Sequence, residues 1–288
     1  MDARHFTRLI ALHILGDPLS VGNLAQYLEI AKEANLGVEI TTSGANLSDF
    51  DLLLSPPIKQ VNFSLDALST LKNAPFLMRR ICDFCAYKVQ KGSEIFVNLR
   101  VQKRAENIKI IEFLAQNLMQ NLPNLAQIPQ NLMQNLTPNL TQIPQNLVQN
   151  LTQNPQNLVQ NLTPNLTQNP QNPPQNPQNP PQNRIKLGNK IIIDFRDVFK
   201  WNADSASQNS VQKGTCLAIK THIGILANGV IVPCCIDASG NLPLGNINKI
   251  SIDSALKTSR AQKMLQGFRQ NRLIERFCQH CDYKNRFI

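Results

Sequence analysis

Apolar positions along the first 115 residues switch between two periods. Arg8 to Leu15 is a mostly apolar run closed by Gly16-Asp17-Pro18, the pattern of a parallel strand buried on both faces. Val21 to Asn35 then carries Leu24, Leu28, Ala31 and Ala34 at three- and four-residue spacing, which predicts a helix stopped by Gly37. Val38 to Thr42 reads as the next strand, Asp49 to Leu54 as a short helix ended by Pro56-Pro57, and Gln60 to Leu65 as a third strand ended at Asp66. Leu68 to Lys88 is predicted helical, Glu94 to Arg100 a fourth strand, and Ala105 to Leu118 a further helix. Strands alternating with helices predict βαβ units and a parallel sheet. Ligands bind such sheets at the strand C-termini. Small, polar and acidic groups gather there: Gly16 with Asp17, Thr42 with Ser43 and Gly44, Ser64 with Asp66, and Asn98 with Arg100.

Residues 116–183 break the pattern. Gln-Asn-Leu and Pro-Gln-Asn recur there with an imperfect period of roughly fifteen. Prolines interrupt any long helix, and the polar residues bury too little apolar area to offset the entropy of ordering. A long disordered insertion is expected. Order returns at 184–202, where Lys190 to Phe195 reads as a last strand of the first domain, followed by a small α+β module at 203–288. In that module Ile223 to Pro233 is expected to form a hairpin with a two-residue Asn228-Gly229 turn, and Ser254 to Phe277 one helix.

Composition narrows the function classes. No run of 18 apolar residues exists, so no transmembrane helix is expected. Met1 to Leu9 lacks an apolar stretch before a small-residue cleavage site, so a cytoplasmic location is expected. The net charge is +10, but the one dense basic region, Lys257 to Arg286, interleaves its charges with Leu265, Phe268, Leu273 and Ile274 at helical spacing. That is the solvated face of an amphipathic helix, and it argues against a nucleic-acid partner.

Seven cysteines fall into two groups. Cys82 and Cys85, three apart in an apolar helix, read as buried packing residues. The second group has the spacing Cys216-x17-Cys234-x43-Cys278-x2-Cys281, with Cys235 pointing away from Cys234 if the segment is a strand. Four thiolates in a small module suit either an iron–sulfur cluster or structural zinc, and spacing alone does not separate the two.

The same residues resemble a known family. Cys216-x12-Gly229-x4-Cys234 followed by Cys278-x2-Cys281, with Asp237-Ala-Ser-Gly240 and Leu244-Gly-Asn-Ile247 between, is similar to the SPASM and twitch modules of radical-SAM enzymes. Full SPASM modules carry further cysteines, so the resemblance is nearer a single-cluster, twitch-like form. It implies one auxiliary [4Fe–4S] cluster on Cys216, Cys234, Cys278 and Cys281. In the first segment, His13-Ile-Leu-Gly-Asp-Pro18 resembles the Gly-Gly-Glu-Pro motif of that superfamily, Thr41-Thr-Ser-Gly44 its Thr-Thr-Asn-Gly, and Ser64-Leu-Asp66 its Ser-x-Asp. These imply S-adenosylmethionine as a second cofactor, with Gly16, Asp17, Thr42, Ser43, Ser64 and Asp66 as its contacts. Family members open with a Cys-x3-Cys-x2-Cys loop that holds the radical-generating cluster. Here no cysteine precedes Cys82.

The fold expected from the resemblance is therefore a partial (β/α)6 barrel of radical-SAM type, missing its first strand and helix, at 1–115 and 184–202. The 203–288 iron–sulfur module would follow it. Without the triad no catalytic residue can be named, and the chain is expected to be inactive or incomplete for S-adenosylmethionine cleavage on its own; a chain supplying the missing segment is one partner this allows. Full-length relatives modify peptides or small molecules. The competing reading is a non-catalytic four-cysteine zinc protein with a nucleic-acid or protein partner.

Overall fold

The computed structural model describes residues 5–68, 71–103, 184–198 and 211–287, with isolated positions at 107, 110, 113–114 and 117–118. The predicted tract at 116–183 (apart from Asn117 and Leu118) and the connector at 199–202 lie outside the described residues, as does most of the predicted 105–118 helix. The described residues divide into two compact units, one from 5–13 and 17–198, the other from 14–16 and 211–287.

In the first unit the alternating pattern forms six strands: β1 (Leu9–Leu12), β2 (Gly37–Thr42), β3 (Ile58–Ser64), β4 (Phe96–Gln102), β5 (Arg184–Gly188) and β6 (Ile191–Arg196). Their order is β1-β2-β3-β4-β6-β5. All neighbours pair parallel except β5 with β6. The α-helices with described bounds in this unit are α1 (Leu24–Glu33), α2 (Phe50–Leu54) and α3 (Ala74–Gln90). The fold is mixed α/β with a parallel-rich sheet.

Register makes the two faces of this sheet unlike. Val38, Ile40, Val61, Phe63, Val97, Leu99 and Val101 are fully buried. Phe63 meets Phe84 of α3 edge-on at 5.6 Å. The opposite face is polar: Thr41, Asn62 and Asn98 lie side by side, as do Ser64, Arg100 and Asp194. A period of two guarantees that these stay on one face. Asn62 accepts from the Asn98 amide at 2.7 Å and donates to Glu39 Oε1 at 2.8 Å.

Several local expectations are corrected by the backbone. β1 is a four-residue strand with alternating exposure, bonded to β2 alone among the described strands, rather than a strand buried on both faces. The left-handed residue after α1 is Asn35 (φ 54°), closed by Leu36 N–H on the Ala31 carbonyl at 2.8 Å, and Gly37 already belongs to β2. α3 starts at Ala74, not Leu68, because Pro75 suits only a first turn, while Leu65–Leu68 forms a separate 3-10 turn. β5, absent from the sequence reading, reaches β6 through Asn189 (φ 47°) and Lys190 (φ 59°). Two left-handed residues in a two-residue loop match the twist of a hairpin. The buried Lys88 ammonium fastens that loop, donating to the Ser93 and Asn189 carbonyls, both at 2.6 Å.

The second unit has a small antiparallel sheet, β7 (Gly224–Ile225), β8 (Val230–Val232) and β9 (Gly245–Asn246). The hairpin loop is three residues rather than two. Leu226 and Val230 pair at 2.9 Å, Gly229 N–H reaches the Leu226 carbonyl at 2.8 Å, and Gly229 is left-handed (φ 81°). The single helix expected at 254–277 is three: α4 (Ile252–Leu256), α5 (Ser259–Arg269) and α6 (Arg276–Gln279). Thr258 caps α5, and the chain then turns back so tightly that a Cβ on Gly267 would meet the Arg272 carbonyl at 2.7 Å. Ile231, Leu242, Leu244, Ala255, Met264 and Phe268 form the core. No described helix is long and apolar enough to cross a membrane.

Candidate metal centre

The second unit brings its cysteines together from three places. Cys216 lies ahead of β7, Cys234 follows β8 and Pro233, and Cys278 and Cys281 flank the end of α6. All four, with Cys235, line one cavity of about 30 Å³, walled on its apolar side by Ala218, Pro233, Leu273 and Phe277. Cys216, Cys234 and Cys278 also pack against the core of the unit, which fixes them from behind.

Backbone dipoles point at the sulfurs. Ala218 N–H donates to Cys216 Sγ at 3.4 Å. Ile236 and Asp237 N–H groups serve Cys234, and those of Tyr283 and Lys284 serve Cys281. The loop after Cys234 is held by Asp237, fully buried, whose carboxylate accepts from Asn241 N–H at 2.7 Å and Leu242 N–H at 2.8 Å. Gly240, left-handed at φ 73°, lets that loop close.

Burial is the main influence on all four thiols and raises each: Cys234 to about 12, and Cys216, Cys278 and Cys281 likewise upward. The next influence on Cys278 is the charge that Cys234, Cys216 and Cys281 would carry as thiolates. Thiols crowded this way hold their protons until a cation compensates them, and metal binding releases those protons. The backbone N–H groups act in the opposite sense, lowering Cys216, Cys234 and Cys281. A water-poor pocket with amides aimed at sulfur suits a thiolate-ligated group. Among the described residues no three His, Cys, Asp or Glu side chains come close enough to hold a single metal ion.

The sheet-end residues resolve into separate local clusters. Asp17 accepts from Thr42 Oγ1 at 2.7 and 2.9 Å, from Ser43 Oγ at 2.6 Å, from Ser43 N–H at 2.8 Å and from Leu19 N–H at 3.0 Å. Its carboxylate thereby caps the 3-10 turn Pro18–Ser20 and pins the end of β2. Gly16 precedes it with φ 82°. Asp66 takes Gln102 N–H at 3.0 Å and the Asn107 amide, tying β4 to the turn after β3. Ser64 sits opposite Arg100 in the register. Cys82 and Cys85 are fully buried inside α3, away from any other cysteine pair in sequence.

Two groups escaped sequence reasoning. The polar sheet face of Glu39, Gln60 and Asn62 was legible only as an every-second-residue polar pattern inside strands read as buried. Lys284, also lining the cysteine cavity, looked like one basic residue among many.

Thiols lining one cavity, three of the four with backbone N–H groups aimed at them, form a candidate metal centre. The family comparison specifies it further: residues 216–282 match the SPASM iron–sulfur cluster-binding domain. The match takes in all four cysteines and does not extend to the six-stranded sheet. No curated protein and no solved structure matches the chain.

Proposed function

We propose that this chain is an iron–sulfur protein of radical-SAM/SPASM type, in which Cys216, Cys234, Cys278 and Cys281 hold one auxiliary [4Fe–4S] cluster. The observation that carries the proposal is the convergence of four half-buried cysteines on one cavity within the SPASM match. The match is to an iron–sulfur cluster-binding domain, which favours a cluster over zinc. When bound, such a cluster supplies one-electron redox chemistry. The chain's part is to exclude water with Pro233, Leu273 and Phe277, to orient the thiolates with backbone N–H groups, and to close the site with the Asp237 loop.

The six-stranded sheet is, in this reading, part of a curled (β/α) barrel. A sheet apolar beneath its helices and polar on its other face suits a half-barrel enclosing a polar ligand. Gly16, Asp17, Thr42, Ser43, Ser64 and Asp66 shape the strand ends facing S-adenosylmethionine. The carboxylates of Asp17 and Asp66 work there by holding the β2 and β4 ends in place. Reductive cleavage of that cofactor needs a three-cysteine cluster motif that these 288 residues do not contain, so radical chemistry on a peptide or small molecule would depend on a segment or partner chain that carries it.

The test is anaerobic reconstitution with iron and sulfide, followed by metal analysis and EPR of the reduced protein. About four irons and four sulfides per chain, lost in Cys278→Ala, are expected. Zinc without sulfide would overturn the cluster and bring forward a binding role for the module.

A further inference from the structure

Lys284 is 7% exposed and lines the same cavity as the four cysteines. Its ammonium folds back over the Cys278-x-x-Cys281 turn and donates to the Gln279 carbonyl at 2.6 Å. Gln279 directly follows Cys278, so the bond fixes the charge beside the turn that presents two of the sulfurs. Lys284 also lowers Cys281 through its charge. A lysine is almost never this buried unless its charge is balanced. Among the described residues no carboxylate pairs with it. The acceptor it has is a neutral carbonyl.

Among the described residues, the negative charge that shares its cavity is that of the thiolates. A cluster ligated by four of them is an anion, and taking one electron from an external reductant makes it more so. A fixed cation in a water-poor pocket favours the more negative state. We propose that Lys284 is the built-in counter-cation of the cluster, holding its reduced form at a higher potential than the four cysteines alone would give. This rests on the iron–sulfur reading above. It makes Lys284 a positioning and tuning residue rather than a ligand.

The experiment uses the full chain, reconstituted, in four forms: wild type, Lys284→Met, Lys284→Gln and Lys284→Arg. Iron and sulfide are counted first, then the midpoint potential is read by EPR during titration with dithionite. The neutral variants should show about a tenfold smaller equilibrium constant for one-electron reduction, equivalent to about 59 mV. Lys284→Arg should stay near wild type. Equal potentials in all four loaded proteins would overturn the assignment while leaving the cluster reading intact. A wild type that takes up no iron and sulfide would overturn both. Should the neutral variants fail to load, thermal unfolding of the cluster-free proteins decides. Unchanged unfolding with a loaded Arg variant supports the counter-charge, because assembly then depends on it. Lowered unfolding temperatures, or an Arg variant that also fails to load, mark a packing role and refute it.

Discussion

Asp237→Ala should loosen the iron–sulfur loop more than any other single change outside the cysteines. The carboxylate is fully buried and holds three groups: Asn241 N–H at 2.7 Å, Asn241 Nδ2 at 3.2 Å and Leu242 N–H at 2.8 Å. Asn241 is exposed, so water replaces much of what its two bonds lose. Leu242 is 4% exposed and part of the core, so its N–H is left orphaned. A charge-assisted bond contributes about 1.5–3 kcal/mol, and an unsatisfied buried donor costs about 1–3 kcal/mol. Together these predict a loss of about 2.5–6 kcal/mol, concentrated in the second unit. Asp237→Asn keeps one acceptor oxygen and turns an NH2 toward the other donor, so it should lose nearly as much. Hydrogen exchange of peptides spanning residues 230–250 in the cluster-free full chain reads the local opening free energy. Iron content after reconstitution reads the consequence for Cys234. Less than about 0.5 kcal/mol of change, the range of ordinary surface substitutions, with normal iron loading, would refute the reasoning.

Other substitutions separate the roles further. Cys235→Ala should retain four irons per chain by metal analysis, whereas Cys216→Ala and Cys281→Ala should not; a cluster lost in Cys235→Ala would make that thiol a ligand. In the metal-free fold Cys234 keeps its proton up to about 12, against an ordinary 9.0, so between those values the native state binds more protons than the unfolded one. Its contribution to stability is therefore full below about 9 and is lost as pH rises toward 12; in alkaline denaturant titrations Cys234→Ser should fall less steeply than wild type. Lys88→Met removes the donor shared by two carbonyls but also a buried charge whose cost offsets part of the loss. A net destabilisation of about 2 kcal/mol is expected, read as faster hydrogen exchange in the 184–196 hairpin.

Much of this architecture was legible in the order of apolar runs. β2, β3, β4 and β6 fall on the predicted strands to within a residue or two, because Val38, Val61, Val97 and Ile191 begin period-two patterns that only a sheet satisfies. What was not legible depends on tertiary context. β1 reads as an apolar run, yet its outer edge finds no described neighbour. The helix expected over 254–277 has continuous apolar spacing, yet Thr258, Gly267 and Asn271 break it to bring Cys278 round to Cys234. The residue that ends α1 is Asn35 rather than Gly37, since asparagine also tolerates the left-handed region. At the cysteine site, the sulfur positions could be read from spacing. The amides that point at them could not, because a backbone N–H has no sequence signature.

The two Cys-x-x-Cys pairs of the chain sit in unlike backbone surroundings. Cys82 and Cys85 lie in the interior of α3, a helix of 17 residues, where every amide nearby is already committed to the carbonyl four residues back. Their thiols meet apolar packing, and burial pushes Cys82 up to about 12 with Asp83 adding to the shift. Cys278 and Cys281 sit where a four-residue helix gives way to the Asp282–Phe287 turn. There the N–H groups of Tyr283 and Lys284 lie beyond α6 and reach Cys281 instead. Desolvation is the main influence on the thiols of both pairs, so it does not by itself separate them. The distinction lies in backbone donors that reach the sulfur of Cys281 and in a nearby cation, which would favour the thiolate once a metal displaces the proton. A Cys-x-x-Cys that ends a helix is thus a different chemical object from one inside it, at identical spacing.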